Sequence, residues 1–372
     1  MIPILKKIKL KLNRGKVTLK PKTRPKGRVL LSYTTLPFIQ PETISGHSNR
    51  WECQKIAEIF TQHGFIVDII DATNKNFKPK KKYTYCIDIS NNLDRLEKYL
   101  NPDCVKIFHI PAAHWLFQNT AEYQRLLGIK NRRGFILSPR RIEKPSLNIE
   151  TADIATILGN DFTLNTYRYA NKPITKIHIA STHTYPSPIN KNFKTINKNF
   201  IWLGGSGMVH KGLDLVLEAF KDMPDFNLTI CGKKDDDFAT AYNQELFETP
   251  NIHYVGFLDL GSDDFKKISD QAIGLIFPSC SEGSSGGVVT SMHAGLIPII
   301  SYEAGVNVED FGLILQENTI AEIKKQVLLL SQLPSEDLKT KAVKAWEYAN
   351  TYHTRENFST EYNNFVVNLI KK

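Results

Sequence analysis

Two stretches in the second half of the chain each combine glycines with one charged side chain. In WLGGSGMVHKGLDL (202–215), Gly204, Gly205 and Gly207 follow an apolar run and precede Lys211. Glycines there let backbone N–H groups approach an anion, and an ammonium at the start of the next helix adds positive charge. In IFPSCSEGSSGGVVTSMHAGLIPIIS (276–301), Glu282 opens a loop of small residues, Gly283, Ser284, Ser285, Gly286 and Gly287. A helix starts there and ends near Gly295. Free amides at a helix N-terminus suit a pyrophosphate, and a carboxylate beside them accepts hydrogen bonds from sugar hydroxyls. Each stretch also has a plainer reading: a turn closing a strand onto a helix, and a capped loop with an exposed Glu. The first is not a P-loop, because G-x-x-x-x-G-K-[ST] is absent.

Such groups need a sheet to hold them. Apolar runs at 28–33, 65–71, 83–89, 105–110, 154–158 and 176–180 read as buried strands, with a helix over 49–64 stopped by Gly64. Residues 181–198, rich in Thr, Pro, Asn and Lys, read as a boundary. The alternation restarts with strands at 199–205, 227–232, 251–257, 272–279 and 297–301 and a helix over 213–223. Strands separated by helices imply parallel sheets covered on both faces, with ligands at the carboxyl ends of the strands. Two α/β domains follow, each a doubly wound Rossmann-like parallel sheet, facing a cleft.

The C-terminal half resembles, in order, the GT-B glycosyltransferases marked by E-(x)7-E. The residues that carry the likeness are G-[…]-HKGLDL-x-LEAF, VGF (255–257), PS-x-SEG and G-x-x-P-I-I-S. The resemblance implies a retaining transfer of a sugar from a nucleotide sugar to an acceptor hydroxyl, needing neither metal nor cofactor. It implies that Lys211 meets the donor phosphates and Glu282 the transferred sugar. Gly205, Ser206, Gly207 and the amides of Ser285 to Gly287 would line the phosphate site, and Gly256 and Phe257 would lie beside the base. Two positions depart from the family. Ser206 stands where a phosphate-binding Arg is usual, and Thr290 stands where the second glutamate falls. The acceptor would be a carbohydrate or a lipid-linked saccharide, as in polysaccharide or glycolipid synthesis. A catalytically weak nucleotide-sugar-binding subunit is the alternative.

In the first half, the family places a histidine near the end of a strand against the sugar. His109 in FHIPAAHWLFQN (108–119) fits that place better than His114, and either could instead be satisfied within its own loop. Gly46 and Ser48 in the loop 34–50, and Asn160 after the strand 154–158, are expected to face the cleft. Metal ligation is not expected: Asp235, Asp236 and Asp237 read as a solvated loop, and no His or Cys shows ligand spacing. Gly283 to Gly287 also satisfy the G-x-S-x-G of hydrolases, with Ser285 as nucleophile. That motif needs a strand running straight into the serine, and Pro278 to Glu282 intervene.

The formal charge of +10 is local. Residues 1–28 carry eleven Lys or Arg and no acid, leaving 37 basic against 38 acidic residues in the remainder. This arm, 1–27, could meet an anionic membrane surface through its lysines and apolar residues, or be a solvated terminus. Nucleic acid is not expected, because the arm has no aromatic residue to stack on bases. The five cysteines never form C-x-x-C and read as reduced thiols, and no apolar run reaches the roughly 18 residues of a membrane span. A cytoplasmic protein, at most peripheral on the inner membrane face, is expected. The boundaries are expected at 28–190 for the first domain and 191–350 for the second, with 351–372 as a helix crossing back.

Overall fold

Apolar runs bounded by turns become the strands of two sheets in the computed structural model, which describes residues 15–371. The first sheet contains β1 (Lys16–Leu19), β2 (Gly27–Tyr33), β3 (Phe65–Asp71), β4 (Tyr85–Asp88), β5 (Val105–Ile110), β6 (Ile154–Leu158) and β7 (Ile174–Ile177). Its order is β1-β3-β2-β4-β5-β6-β7, parallel throughout except for β1, which runs antiparallel to β3. The second contains β8 (Asn199–Gly204), β9 (Asn227–Gly232), β10 (Ile252–Gly256), β11 (Gly274–Phe277), β12 (Ile297–Ser301) and β13 (Leu313–Leu315), in the order β10-β9-β8-β11-β12-β13. Both are doubly wound sheets, as expected. In the second, strand order reverses between β8 and β11, and a crevice outside their carboxyl ends is where such sheets bind ligands.

The helices of eight residues or more are α1 (Ser48–Gln62), α2 (Trp115–Arg133), α3 (Leu213–Lys221), α4 (Asp263–Asp270), α5 (Gly286–His293), α6 (Ile320–Ser331), α7 (Ser335–Tyr352) and α8 (Arg355–Lys371). Two of them cross between the domains. Phe358, Tyr362, Phe365 and Val366 of α8 pack with Val29, Ile56 and Ile69 in the first core. In return, Ile129 of α2 and Leu137 just beyond it sit among Phe220, Phe238 and Tyr242 of the second core. Burial of such side chains stabilises the docked domains by about 2 kcal/mol each.

Two elements differ from expectation. Lys16 to Leu19, inside the expected arm, form β1, because Asp68 on β3 offers a fully buried carboxylate for the arm's polar groups. It accepts from Thr18 at 2.6 Å, Arg28 at 2.8 Å, Tyr83 at 2.9 Å and Lys16 at 3.1 Å. The first fourteen residues of the arm lie outside the described residues. The strand expected over 176–180 is Ile174–Ile177, because the backbone N–H of His178 donates to Glu361 on α8.

Candidate active site

The second domain brings its two glycine-bearing turns together. Gly207 and Gly212 adopt left-handed φ of 86° and 71°, which folds the chain after β8 sharply back before α3. A Cβ on Gly212 would lie 2.4 Å from the Pro278 carbonyl oxygen, so the two turns pack backbone to backbone. This contact sets Lys211 Nζ 2.5 Å from Glu282 Oε1 and 5.2 Å from the centre of the Phe277 ring. Ser279 Oγ donates to the same carboxylate at 3.1 Å. Burial alone would raise the Glu282 carboxyl. The charges on Lys211, Arg141 and His210 and the bond from Lys211 more than reverse that, holding it at about 2. An ionised carboxylate is therefore fixed beside an ammonium at the sheet's switch point.

Not every expected amide is free. Asp235, expected in a solvated loop, is buried, and its Oδ2 accepts from Gly207 N at 3.2 Å and Met208 N at 2.9 Å. The Ser285 amide donates to the Ala304 carbonyl at 3.0 Å, and Ser285 Oγ caps α5 by accepting from Val288 N. The amides of Gly286 and Gly287, the first of α5, have no partner within the helix by its geometry. A Cβ added to Gly205, Gly256 or Gly286 would meet nothing within 4 Å. Ser206 and Phe257 are exposed, Phe257 at 74%, and Ser284 is half-buried, whereas Thr290 is buried in α5.

On the first-domain side the expected residues scatter. His109 is wholly buried between Tyr33 and Tyr362, with Nδ1 2.7 Å from Thr156 Oγ1, and does not open on the gap. Strand alternation turns it to the face that α8 covers, and burial lowers its pKa to about 4. His114 caps α2, accepting from Leu116 N, with its other nitrogen 3.0 Å from Tyr169 Oη. Gly46 is exposed in a short turn, and Ser48, half-buried, opens α1. Asn160 does span the gap, its side-chain amide donating to the Tyr302 carbonyl at 3.1 Å. There the domains nearly touch: Gly159, Asn160, Ser284 and Gly305 line a cavity of about 20 Å³, and a Cβ on Gly283 would lie 1.9 Å from the Pro111 carbonyl oxygen.

The residues that do reach across were not singled out from sequence. Glu122 on α2 bonds His210 Nδ1 at 2.7 Å, and His210 Nε2 lies 2.5 Å from the Ser281 carbonyl. Arg125 donates to the Pro278 carbonyl at 2.7 Å, Arg132 pairs with Asp214 at 2.6 Å, and Arg133 with Glu245 at 2.7 Å. Arg141 Nη2 lies 3.7 Å from Glu282 Oε2. The signal for these was the dense basic content of 122–141, five Arg and one Lys, which reads equally well as a solvated face. Glu122, His210 and Cys280 place possible ligand atoms within 4.8 Å of one another. They fit an ion pair better than a metal, since both His210 nitrogens are already bonded and burial pushes the Cys280 thiol up to about 12. The geometry is also wrong for a nucleophilic serine: β11 ends at Phe277, well before Ser285, and His293 lies at the far end of α5, bonded to the His353 carbonyl.

Residues 197–332 match the model of a family described as glycosyl transferases group 1. No curated protein matches in sequence. Among solved structures, sucrose-phosphate synthase from Thermosynechococcus elongatus is 13% identical, with 94% of this chain and 100% of that one covered and a TM-score of 0.63. Anabaena HepE, in complex with UDP and glucose, is 11% identical over 93% and 99% of the two chains, with a TM-score of 0.54. S. aureus TarM, in a complex that includes UDP, is 15% identical with a TM-score of 0.54. That match covers 75% of this chain and 54% of TarM, so the chain spans about half of TarM's length. At these identities the likeness is one of fold. The chain thus has the GT-B fold, and its residues 197–332 match the group 1 glycosyl transferase model.

Proposed function

We propose that the protein transfers a sugar from a nucleoside diphosphate sugar to an acceptor hydroxyl, with retention at the anomeric carbon and without a metal. The observation that carries this is the meeting of Lys211 and Glu282 at the switch point, 2.5 Å apart, beside open space at Gly205, Gly256 and Gly286. In this reading the nucleotide enters along the three glycines, and the diphosphate meets Lys211 and the amides of Gly286 and Gly287. Positive groups aimed at the leaving phosphate stabilise charge as it develops there. Glu282, held ionised, accepts hydrogen bonds from the sugar hydroxyls. Closure of the first domain over the bound donor would then exclude water.

We assign the acceptor to growing polysaccharide or glycolipid on the strength of the basic arm, whose first fourteen residues could seat the protein peripherally on an anionic membrane. No helix of the described residues is long and apolar enough to cross a membrane. Asp235 on the turn amides and the absence of charge at Ser206 and Thr290 favour the second reading, a subunit that binds nucleotide sugar with little turnover.

The test is a thermal-shift screen with UDP, GDP, ADP, CDP and TDP and their sugars, followed by donor hydrolysis. The UDP complexes of HepE and TarM make UDP the first to try. Glu282→Ala and Lys211→Ala are each expected to lower turnover by about 100-fold or more, with Lys211→Ala affecting rate more than donor affinity. Binding without turnover in the parent selects the second reading, and no binding to any nucleotide removes both.

A further inference from the structure

Between α2 and residue 148 the chain runs through fourteen residues, 134–147, without helix or strand. Connections this long and irregular inside a compact fold are uncommon, and an ordered one is a candidate for a functional role. This strap is anchored from α2 by two fully buried side chains. Gln118 Nε2 donates to the Arg141 carbonyl at 2.8 Å, and Glu122 Oε1 accepts from Arg140 N at 2.8 Å. The backbone of Arg141 is therefore fixed, and its side chain leans over the glycine turn of the other domain. A Cβ on Gly207 would lie 2.7 Å from Arg141 Cγ.

The guanidinium at the end of that side chain is short of partners. Nη2 is 3.7 Å from Glu282, beyond hydrogen-bond range, and Nε is buried with no acceptor among the described residues. A buried unpaired donor is costly unless something else accepts from it. The charges nearby say what that something is. Lys211 is offset by Glu282, and Asp235 adds a further negative charge on the Gly207 and Met208 amides. Without Arg141 this set is net negative and would repel a diphosphate; with it, the set is neutral and offers a planar fork of donors to phosphate oxygens.

We propose that Arg141, carried by the first domain, is the second phosphate-binding cation of the donor site, so that the diphosphate is held only when the strap is docked. Donor binding and domain closure are then one event. This rests on the donor reading above.

The experiment uses the full chain and calorimetric titration with UDP, GDP and ADP, each against its parent nucleoside. Arg141→Met keeps the aliphatic stem over Gly207 and removes the guanidinium. It is expected to weaken the diphosphate by about 10- to 100-fold, the range of a charge-assisted hydrogen bond, and leave the nucleoside unchanged. Ser206→Arg added to Arg141→Met places a guanidinium on the neighbouring turn and is expected to restore most of the loss. Lys144→Ala, which removes a positive charge from an exposed position of the strap, is expected to leave diphosphate affinity unchanged. Equal diphosphate affinity in Arg141→Met and the parent overturns the proposal. So does an equal fall for diphosphate and nucleoside, which would mean that Arg141 only shapes the site. A parent that binds none of the three diphosphates takes down the donor reading itself.

Discussion

The second-domain wall of the cleft is made by backbone. Lys211 and Glu282 each follow a strand end within a few residues, and Gly212 lets the two turns approach to contact. The first-domain wall is made by side chains. Arg141 is held by Gln118 and Glu122, and α2 reaches the other domain through Arg125, Arg132 and Arg133. Backbone geometry is a rigid frame on which a charge pair keeps its distance whatever the rest of the protein does. A wall of long charged side chains keeps its shape only while its partners are docked, so it is the wall that can respond to a ligand.

The largest expected effect comes from pushing the walls apart. Ala at Gly283 would set its Cβ 1.9 Å from the Pro111 carbonyl oxygen, a backbone atom that cannot turn aside. Gly283→Ala is expected to lower donor turnover by about 100-fold, since a misplacement near 1 Å costs that much. Its melting temperature should also fall by several degrees. Unchanged turnover would mean that the contact at Pro111 plays no part in the working state.

The two domains should also differ in acid. Burial holds the His109 pKa down at about 4 against an ordinary 6.5, so the unfolded chain takes up the proton first and the fold weakens as pH falls from 6.5 toward 4. Glu282, at about 2 against 4.5, contributes stability that is full above 4.5 and is lost only as pH falls through 2. At pH 5 the first domain should therefore have lost about 2 kcal/mol through His109 while the Lys211 pair is intact. Denaturant unfolding of the parent and of His109→Asn from pH 7 to 5 checks this: the variant should show a shallower decline. Parallel declines would place the acid sensitivity elsewhere.

This contrast explains what could be read from residues alone. The strands at 227–232 and 297–301 and the turn at 202–215 were legible because doubly covered parallel strands are unbroken apolar runs and a strand–glycine–helix turn is a local pattern. β1 was not, because KVTL sits among lysines whose counter-charge, Asp68, lies 50 residues away. β13 is only three residues long. α2 shows no single apolar stripe: Leu116, Tyr123 and Leu127 are exposed while Ile129 is buried in the other domain. His109 was placed by its position near a strand end. Its burial is decided by Tyr362 on α8, more than 250 residues later. Asp235 reads as a solvated acid until β9 is set beside β8. Contacts made by docking leave no spacing in the chain.

A smaller effect separates charge from shape within the rigid wall. Asp235→Asn keeps an oxygen that can accept from Gly207 and Met208 but removes a negative charge beside the proposed phosphate position. Diphosphate affinity is expected to rise by about fivefold, the scale of one partly screened charge at this range. Unaltered affinity would mean that the diphosphate sits farther from this turn than Lys211 does.

The smallest change in stability should come at Gly286. It opens α5 with an ordinary negative φ, and a Cβ there meets nothing within 4 Å, so alanine fits the fold and restricts the unfolded chain. Gly286→Ala is expected to gain about 0.5 kcal/mol and at the same time to weaken the nucleoside diphosphate several-fold. A methyl group at that point stands where, in the proposed site, the phosphate would approach the helix amides. The opposite signs are the point of the test, to be read by melting temperature and titration on one sample. A residue kept for folding loses stability when replaced, whereas one kept for a ligand loses only the ligand. If Gly286→Ala binds as tightly as the parent, the open space beside α5 is not where the nucleotide lies.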